Sequence, residues 1–98
     1  MAEWIHTEGK DYGEIRLYAI STCGHCRETR EYLEGSGVSF DYLYVDLLDE
    51  EEMQSLYSEV LVHNPRGSFP TLVFEDGGVI VGSRLDRIRE ALESNEKT

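Results

Sequence analysis

An α/β fold with the element order β-α-β-α-β-β-α, a central mixed four-stranded sheet carrying helices on both faces, is what this chain predicts. Three observations predict it. Runs of period-two alternation take turns with runs of helical spacing along the sequence. The first such pair is joined by Cys23-Gly24-His25-Cys26, two thiols at a strand-to-helix junction. Finally, Asp76-Gly77-Gly78 marks a hairpin turn between two β-type runs just before the last helical segment.

Each element has its own signal. Glu14 to Ile20 alternates Ile15, Leu17 and Ala19, a short strand that ends at Ser21-Thr22. Cys23 tops a helix that runs to about Glu34 and stops at Gly35-Ser36-Gly37, where glycine tolerates the left-handed conformation of many helix ends. Val38 to Val45 is the second β-type run. Asp46-Leu47-Leu48-Asp49 reads as a capping box, and Met53, Leu56, Tyr57, Val60 and Leu61 then repeat at helical spacing, predicting one apolar face turned to the core. Pro65 and Gly67 make His63 to Ser68 a loop, after which Phe69-Pro70 leads into the strand Thr71 to Glu75. Val79 to Gly82 pairs back, and Ser83 with Asp86 caps a last helix whose inner side is Leu85, Ile88 and Leu92. Residues 1–13 read as an N-terminal extension, with Trp4 and Ile5 covering part of the core, and residues 14–98 as the one domain.

A chain of 98 residues with 40% apolar composition has room for one modest core without disulfide staples. Its start, Met1 to Lys10, lacks the basic end and apolar stretch of a secretory signal, and no run approaches membrane-spanning length, so a cytoplasmic location is expected. Twenty acidic residues against 9 basic ones give a net charge of −11, which opposes nucleic acid and anionic membranes as partners and favours solubility. The acidic cluster Asp46, Asp49, Glu50, Glu51 and Glu52 falls at a predicted helix start, where the dipole favours negative charge.

Cys23 and Cys26 carry the chemistry. Two residues between thiols on a first helical turn place their α-carbons at a separation a disulfide can bridge, so the pair can cycle between dithiol and disulfide. Free amides and the dipole at a helix start stabilise a thiolate, which makes Cys23, ahead of the first turn, the nucleophile and Cys26, one turn in and shielded, the resolving thiol. Gly24 and His25 lie between them as site-tuning positions. His25 and Arg27 bring positive charge, although Arg27 has the spacing to pair with Glu31 instead. A metal module is the competing class, with Cys23, Cys26 and one of His25, His6 or His63 holding zinc, or Cys23 holding an iron-sulfur cluster between two subunits. The chain has one Cys-x-x-Cys and no second ligand pair at zinc-finger spacing, so no metal is expected.

Together with Phe69-Pro70-Thr71 ahead of the hairpin and the glycine-ended strand Val81-Gly82, the Cys-x-x-Cys resembles the glutaredoxin and thioredoxin superfamily over about residues 14–94. The resemblance implies the thioredoxin fold, a cis peptide at Pro70 lying against the redox pair, and substrate contacts from Phe69, Pro70, Thr71, Arg66 and Gly82. Length and the compact β-α-β opening look more like a glutaredoxin than a full thioredoxin. Two departures weaken glutathione recognition. Ile20 stands where glutaredoxins commonly have a lysine, and Arg84 where they commonly have an acid. The resemblance therefore implies a cytoplasmic, monomeric thiol-disulfide oxidoreductase. It would be thioredoxin-like, without a required cofactor, and fed by an upstream flavin or iron-sulfur disulfide reductase. Its electrons would go to disulfide-containing proteins such as ribonucleotide reductase. Glutathione or another low-molecular-weight thiol is the alternative partner. Cys-Gly-His-Cys is also similar to the site of protein disulfide isomerases, whose couples lie near −180 mV against about −270 mV for thioredoxin, a gap of roughly 4 kcal/mol.

Overall fold

Five strands, rather than the four expected, form the sheet. The computed structural model describes residues 3–95, so residues 1–2 of the expected extension and 96–98 of the expected domain lie outside it. The strands are β1 (Ile5–Thr7), β2 (Ile15–Ala19), β3 (Phe40–Tyr44), β4 (Thr71–Phe74) and β5 (Val79–Val81), in the spatial order β1-β3-β2-β4-β5. β2 and β3 are parallel, and the other neighbours are antiparallel. The extra strand is β1, which the sequence reading left in an extension: it pairs Ile5 with Tyr42 and Thr7 with Phe40, and His6 Nδ1 lies 2.7 Å from the Asp41 carboxylate. A three-residue strand has almost no alternation to read, and its partner lies more than thirty positions along the chain. Trp4 packs edge-on against Tyr18 at 5.1 Å, as expected of a core cover, but Ile5 is 47% exposed and covers little.

The helices are α1 (Gly24–Gly35), α2 (Glu50–His63) and α3 (Leu85–Ser94). On one face of the sheet, Ile15, Leu17, Leu72 and Phe74 pack with Leu33 and Cys26 of α1 and with Ile88 and Leu92 of α3. On the other, Tyr18, Leu43 and Val45 pack with Leu56 and Val60 of α2. Each fully buried Leu or Ile contributes about 1.5 to 3 kcal/mol relative to exposure, so these two layers dominate the folding free energy.

Three expected details change. The α2 apolar face is only half covered: Leu56 and Val60 are buried, but Met53, Tyr57 and Leu61 keep 36%, 37% and 39% of their surface. α2 packs alone on its face of the sheet, and a single helix meets a sheet along a narrow line. Its N-cap is Asp49, which accepts from the Glu52 amide at 2.8 Å, while Asp46 sits in a short 3-10 turn, Val45–Leu47, and bonds elsewhere. At α3 the N-cap position is Arg84 with no side-chain cap, and Ser83 turns to His25 instead of capping.

Candidate active site

The sheet's upper rim gathers the C-terminal end of β2, the start of β4 and the end of β5, and α1 starts from the loop above β2. Cys23 is the α1 N-cap, in extended conformation, and its Sγ accepts from the Cys26 amide at 3.3 Å. That hydrogen bond sets the Cys23 sulfur at the amino end of α1, where the free backbone amides of the first turn point. Both cysteines are free thiols; Cys23 is partly exposed and Cys26 is 1% exposed. Burial above all, with smaller contributions from Cys23 and from Asp46, pushes the Cys26 thiol up to about 12. The pair is thus asymmetric in access, and its inner thiol is held protonated by burial, as a nucleophile and a resolving thiol need.

Asp46 holds the loop in front of Cys23. Its carboxylate accepts from the Ser21 amide at 2.8 Å and from the Ser21 hydroxyl at 2.6 Å. Burial pushes the Asp46 carboxyl up, but the two Ser21 hydrogen bonds outweigh it and hold the group below its ordinary value. Sequence reasoning placed Asp46 in a helix cap, because local spacing cannot show that Ser21, 25 positions away, is the partner.

His25 is exposed, and its Nδ1 lies 2.9 Å from Ser83 Oγ, a hydrogen bond joining α1 to the segment after β5. Gly24 is exposed with open space where a Cβ would stand, so its position does not demand glycine. Gly82 is different: its φ of +86° ends β5 in a left-handed turn beside the site, and its amide donates to Pro70 O at 3.0 Å. The Phe69–Pro70 peptide is cis, and Pro70 is buried.

The Thr71 side chain points into the fold, which leaves its backbone for the contact expected of it. It is fully buried within the β4 ladder, and its hydroxyl donates to Ser68 O at 2.8 Å and accepts from Asn64 Nδ2 at 3.1 Å. Asn64, unremarked in the sequence, organises the whole loop: its Nδ2 also donates to Ser68 O at 3.1 Å, and its Oδ1 accepts from the Arg66 amide at 3.2 Å. Arg66 is exposed and lies on the β5 side, away from Ile20. Phe69 is partly exposed and lines two grooves. One, about 300 Å³, runs under Ile20 along Val45, Met53 and Tyr57; the other, about 310 Å³, runs past His25, Gly82, Ser83 and Arg84.

His6 belongs to the β1–β3 pair through Asp41, and His63 lies against Tyr18 with ring centroids 6.4 Å apart, so neither joins the cysteines. Among the described residues, no group of three or more His, Cys, Asp or Glu side chains could hold a metal ion. Among them, too, no helix is long and apolar enough to cross a membrane.

Comparison with known proteins agrees with this geometry. The glutaredoxin family model matches residues 15–80. A glutaredoxin-like 8.6 kDa protein from a rubredoxin operon of Clostridium pasteurianum is 31% identical over 81 residues, covering 81% of this chain and 97% of the relative. Among solved structures, the glutaredoxin of Methanosarcina mazei is 41% identical with a TM-score of 0.85, covering 93% of this chain and 88% of its own. Methanoredoxin of Methanosarcina acetivorans is 45% identical with a TM-score of 0.83, covering 86% and 88%. A redox-type Cys-x-x-Cys at a helix start, a cis-proline beside it and a family match across the sheet lead to one conclusion: this chain belongs to the glutaredoxin family of thiol oxidoreductases.

Proposed function

We propose that the protein is a cytoplasmic dithiol carrier that reduces protein disulfides, closer to a thioredoxin in its substrates than to a glutathione-specific glutaredoxin. The carrying observation is the groove under Ile20. It is lined by Ile20, Val45, Met53, Tyr57 and Phe69, and its charged residue is Asp46, the wrong sign for a carboxylate of glutathione. Such a surface suits an apolar side chain flanking a protein disulfide.

In the cycle, the Cys23 thiolate attacks one sulfur of the target disulfide. The S–S bond breaks, the leaving thiolate takes a proton, and Cys23 is held in a mixed disulfide. Cys26 then loses its proton and attacks Cys23 Sγ, releasing the target as a dithiol. Two electrons pass to the target, and the Cys23–Cys26 disulfide awaits an upstream flavin or iron-sulfur disulfide reductase. Blocking Cys23 in the mixed disulfide removes its charge, one of the contributions that raise Cys26, so resolution becomes easier once attack has happened.

The test is to offer the oxidised protein three donors, glutathione, thioredoxin reductase with NADPH, and a ferredoxin-linked reductase, and to follow insulin reduction. Reduction by an enzyme donor with slow turnover on glutathione is expected. Efficient glutathione-dependent turnover would replace the reading with that of an ordinary glutaredoxin.

A further inference from the structure

The strongest feature left unused is a groove of about 560 Å³ on the outer side of β5, lined by Arg66, Arg84, Arg87, Asn64 and the strand Val79–Val81. In a chain with 20 acidic residues, its lining contains three arginines and no Asp or Glu. All three arginines are exposed, and none has an ion-pair partner among the described residues, whereas Arg16 pairs with Glu14 and Arg30 with Glu34. β5 is also the end of the sheet, bonded to β4 on one side only. The groove shares Val81 and Arg84 with the hollow beside His25 and Gly82, so it continues directly from the redox site.

We infer that this groove is a docking site for an extended acidic segment of the target protein, laid along β5 as an added strand with its carboxylates on Arg66, Arg84 and Arg87. An edge strand offers backbone donors and acceptors to an extended peptide and gives affinity without sequence preference. The arginines supply the selection, by attracting a carboxylate-bearing strand and leaving a basic one repelled. A surrounding net charge of −11 makes the patch discriminating, since an acidic segment is repelled by the rest of the surface and held only here. The inference rests on the protein-disulfide reading above and names its substrate class: a disulfide with Asp or Glu in the extended chain a few residues from the attacked cysteine.

Two fluorescent, cysteine-free peptides of alternating Val and Glu, or Val and Gln, titrated onto the full chain and followed by anisotropy, test it. At low ionic strength each exposed Arg–carboxylate pair contributes roughly 1.5- to fivefold, so the Glu peptide is expected to bind about tenfold tighter than the Gln peptide. High salt should bring the two toward parity. Arg87→Glu, on the exposed face of α3, should cut the preference to about twofold while leaving the melting curve unchanged. N-methylation of alternate peptide amides should remove most of the binding. Equal affinity for Glu and Gln peptides overturns the docking site, as does an Arg87→Glu variant that keeps the full preference. Full affinity of the N-methylated peptide, or displacement by free glutamate at the same carboxylate concentration, overturns the added strand and leaves a simple anion patch. A Glu peptide that binds, but whose disulfide-bearing counterpart is not reduced, overturns the protein-reductase reading and leaves the docking site standing.

Discussion

Two grooves meet at Phe69, and a substrate would feel them as different solvents. The one under Ile20 is apolar with an acid, Asp46, at its rim; the one past Gly82 leads through Ser83 and Arg84 to three arginines and an open sheet edge. A small symmetric ligand with carboxylates at both ends would find a cation at one end only. A protein segment, apolar on one side of its cysteine and acidic on the other, would be matched along its length. The difference teaches that selectivity in this chain is set by what flanks the thiols, because the thiols and the cis-proline are common property of the family.

The comparison breaks completely if Cys23 is not the point between the grooves. Cys23→Ser is expected to abolish insulin reduction, and Cys26→Ser to leave a nucleophile that accumulates stable mixed disulfides. Limiting iodoacetamide at neutral pH, read by peptide mass mapping, should mark Cys23 first. Preferential labelling of Cys26 would reverse the roles.

A sharper version exchanges the flanks. Ile20→Lys with Arg84→Asp supplies a cation under Ile20 and an acid past Gly82. Each restored charged hydrogen bond contributes about 1.5 to 3 kcal/mol when well formed, less at a partly exposed site, so a gain of about tenfold in a glutathione mixed-disulfide assay is expected. No gain would show that the charges of the flanks do not govern thiol choice.

His25 sits at the mouth of the arginine side and ties α1 to Ser83. His25→Pro removes that tie and the imidazole between the two thiols in sequence, so the couple should become more reducing by about 20 to 30 mV, the equivalent of roughly 1 kcal/mol. Proline is tolerated in a first helical turn. Equilibration against a dithiothreitol buffer reads the change, and an unchanged or higher potential removes His25 from the tuning role.

The smallest effects are in two pH-dependent ties outside the thiols. Hydrogen bonding to Asp41 above all, opposed by burial and aided by the charges of Asp41 and Glu8, raises His6 above 6.5. A raised folded-state value means the β1–β3 tie is fully present below 6.5 and lost as pH rises through the raised value. Asp46 runs the other way: held below 3.8, it ties down the Ser21 loop above that pH and releases it as pH falls through the lowered value. Amide exchange at Thr7 should therefore speed up on the alkaline side and at Ser21 on the acid side. Of these two transitions only that at Ser21 should touch activity, since β1 borders neither groove.

Much of this was readable in one dimension. The α1 helix announces itself by its glycine stop and by cysteines at its head, and the hairpin by Asp76-Gly77-Gly78, because those signals are local. Asp46 and Ser83 were misread because each spends its polar group on a partner that folding brings near, and Asn64 was passed over because a loop has no period to mark its bonds to Arg66, Ser68 and Thr71. The Thr71 side chain, beside Pro70, is turned inward in the strand between β2 and β5, which its sequence position does not show. Met53, Tyr57 and Leu61 carry a helical period that implies burial, and periodicity cannot say how much sheet lies beneath.

The buried Cys26 thiol, raised above all by its burial, also sets a clock. While it keeps its proton, the protein stays covalently attached to whatever Cys23 has attacked, so the lifetime of that embrace shortens about tenfold for each unit of rising pH below the thiol's own value. In an alkaline compartment the carrier would release its targets quickly and turn over many. In an acidified one the same molecules would linger on their first targets and behave as a trap.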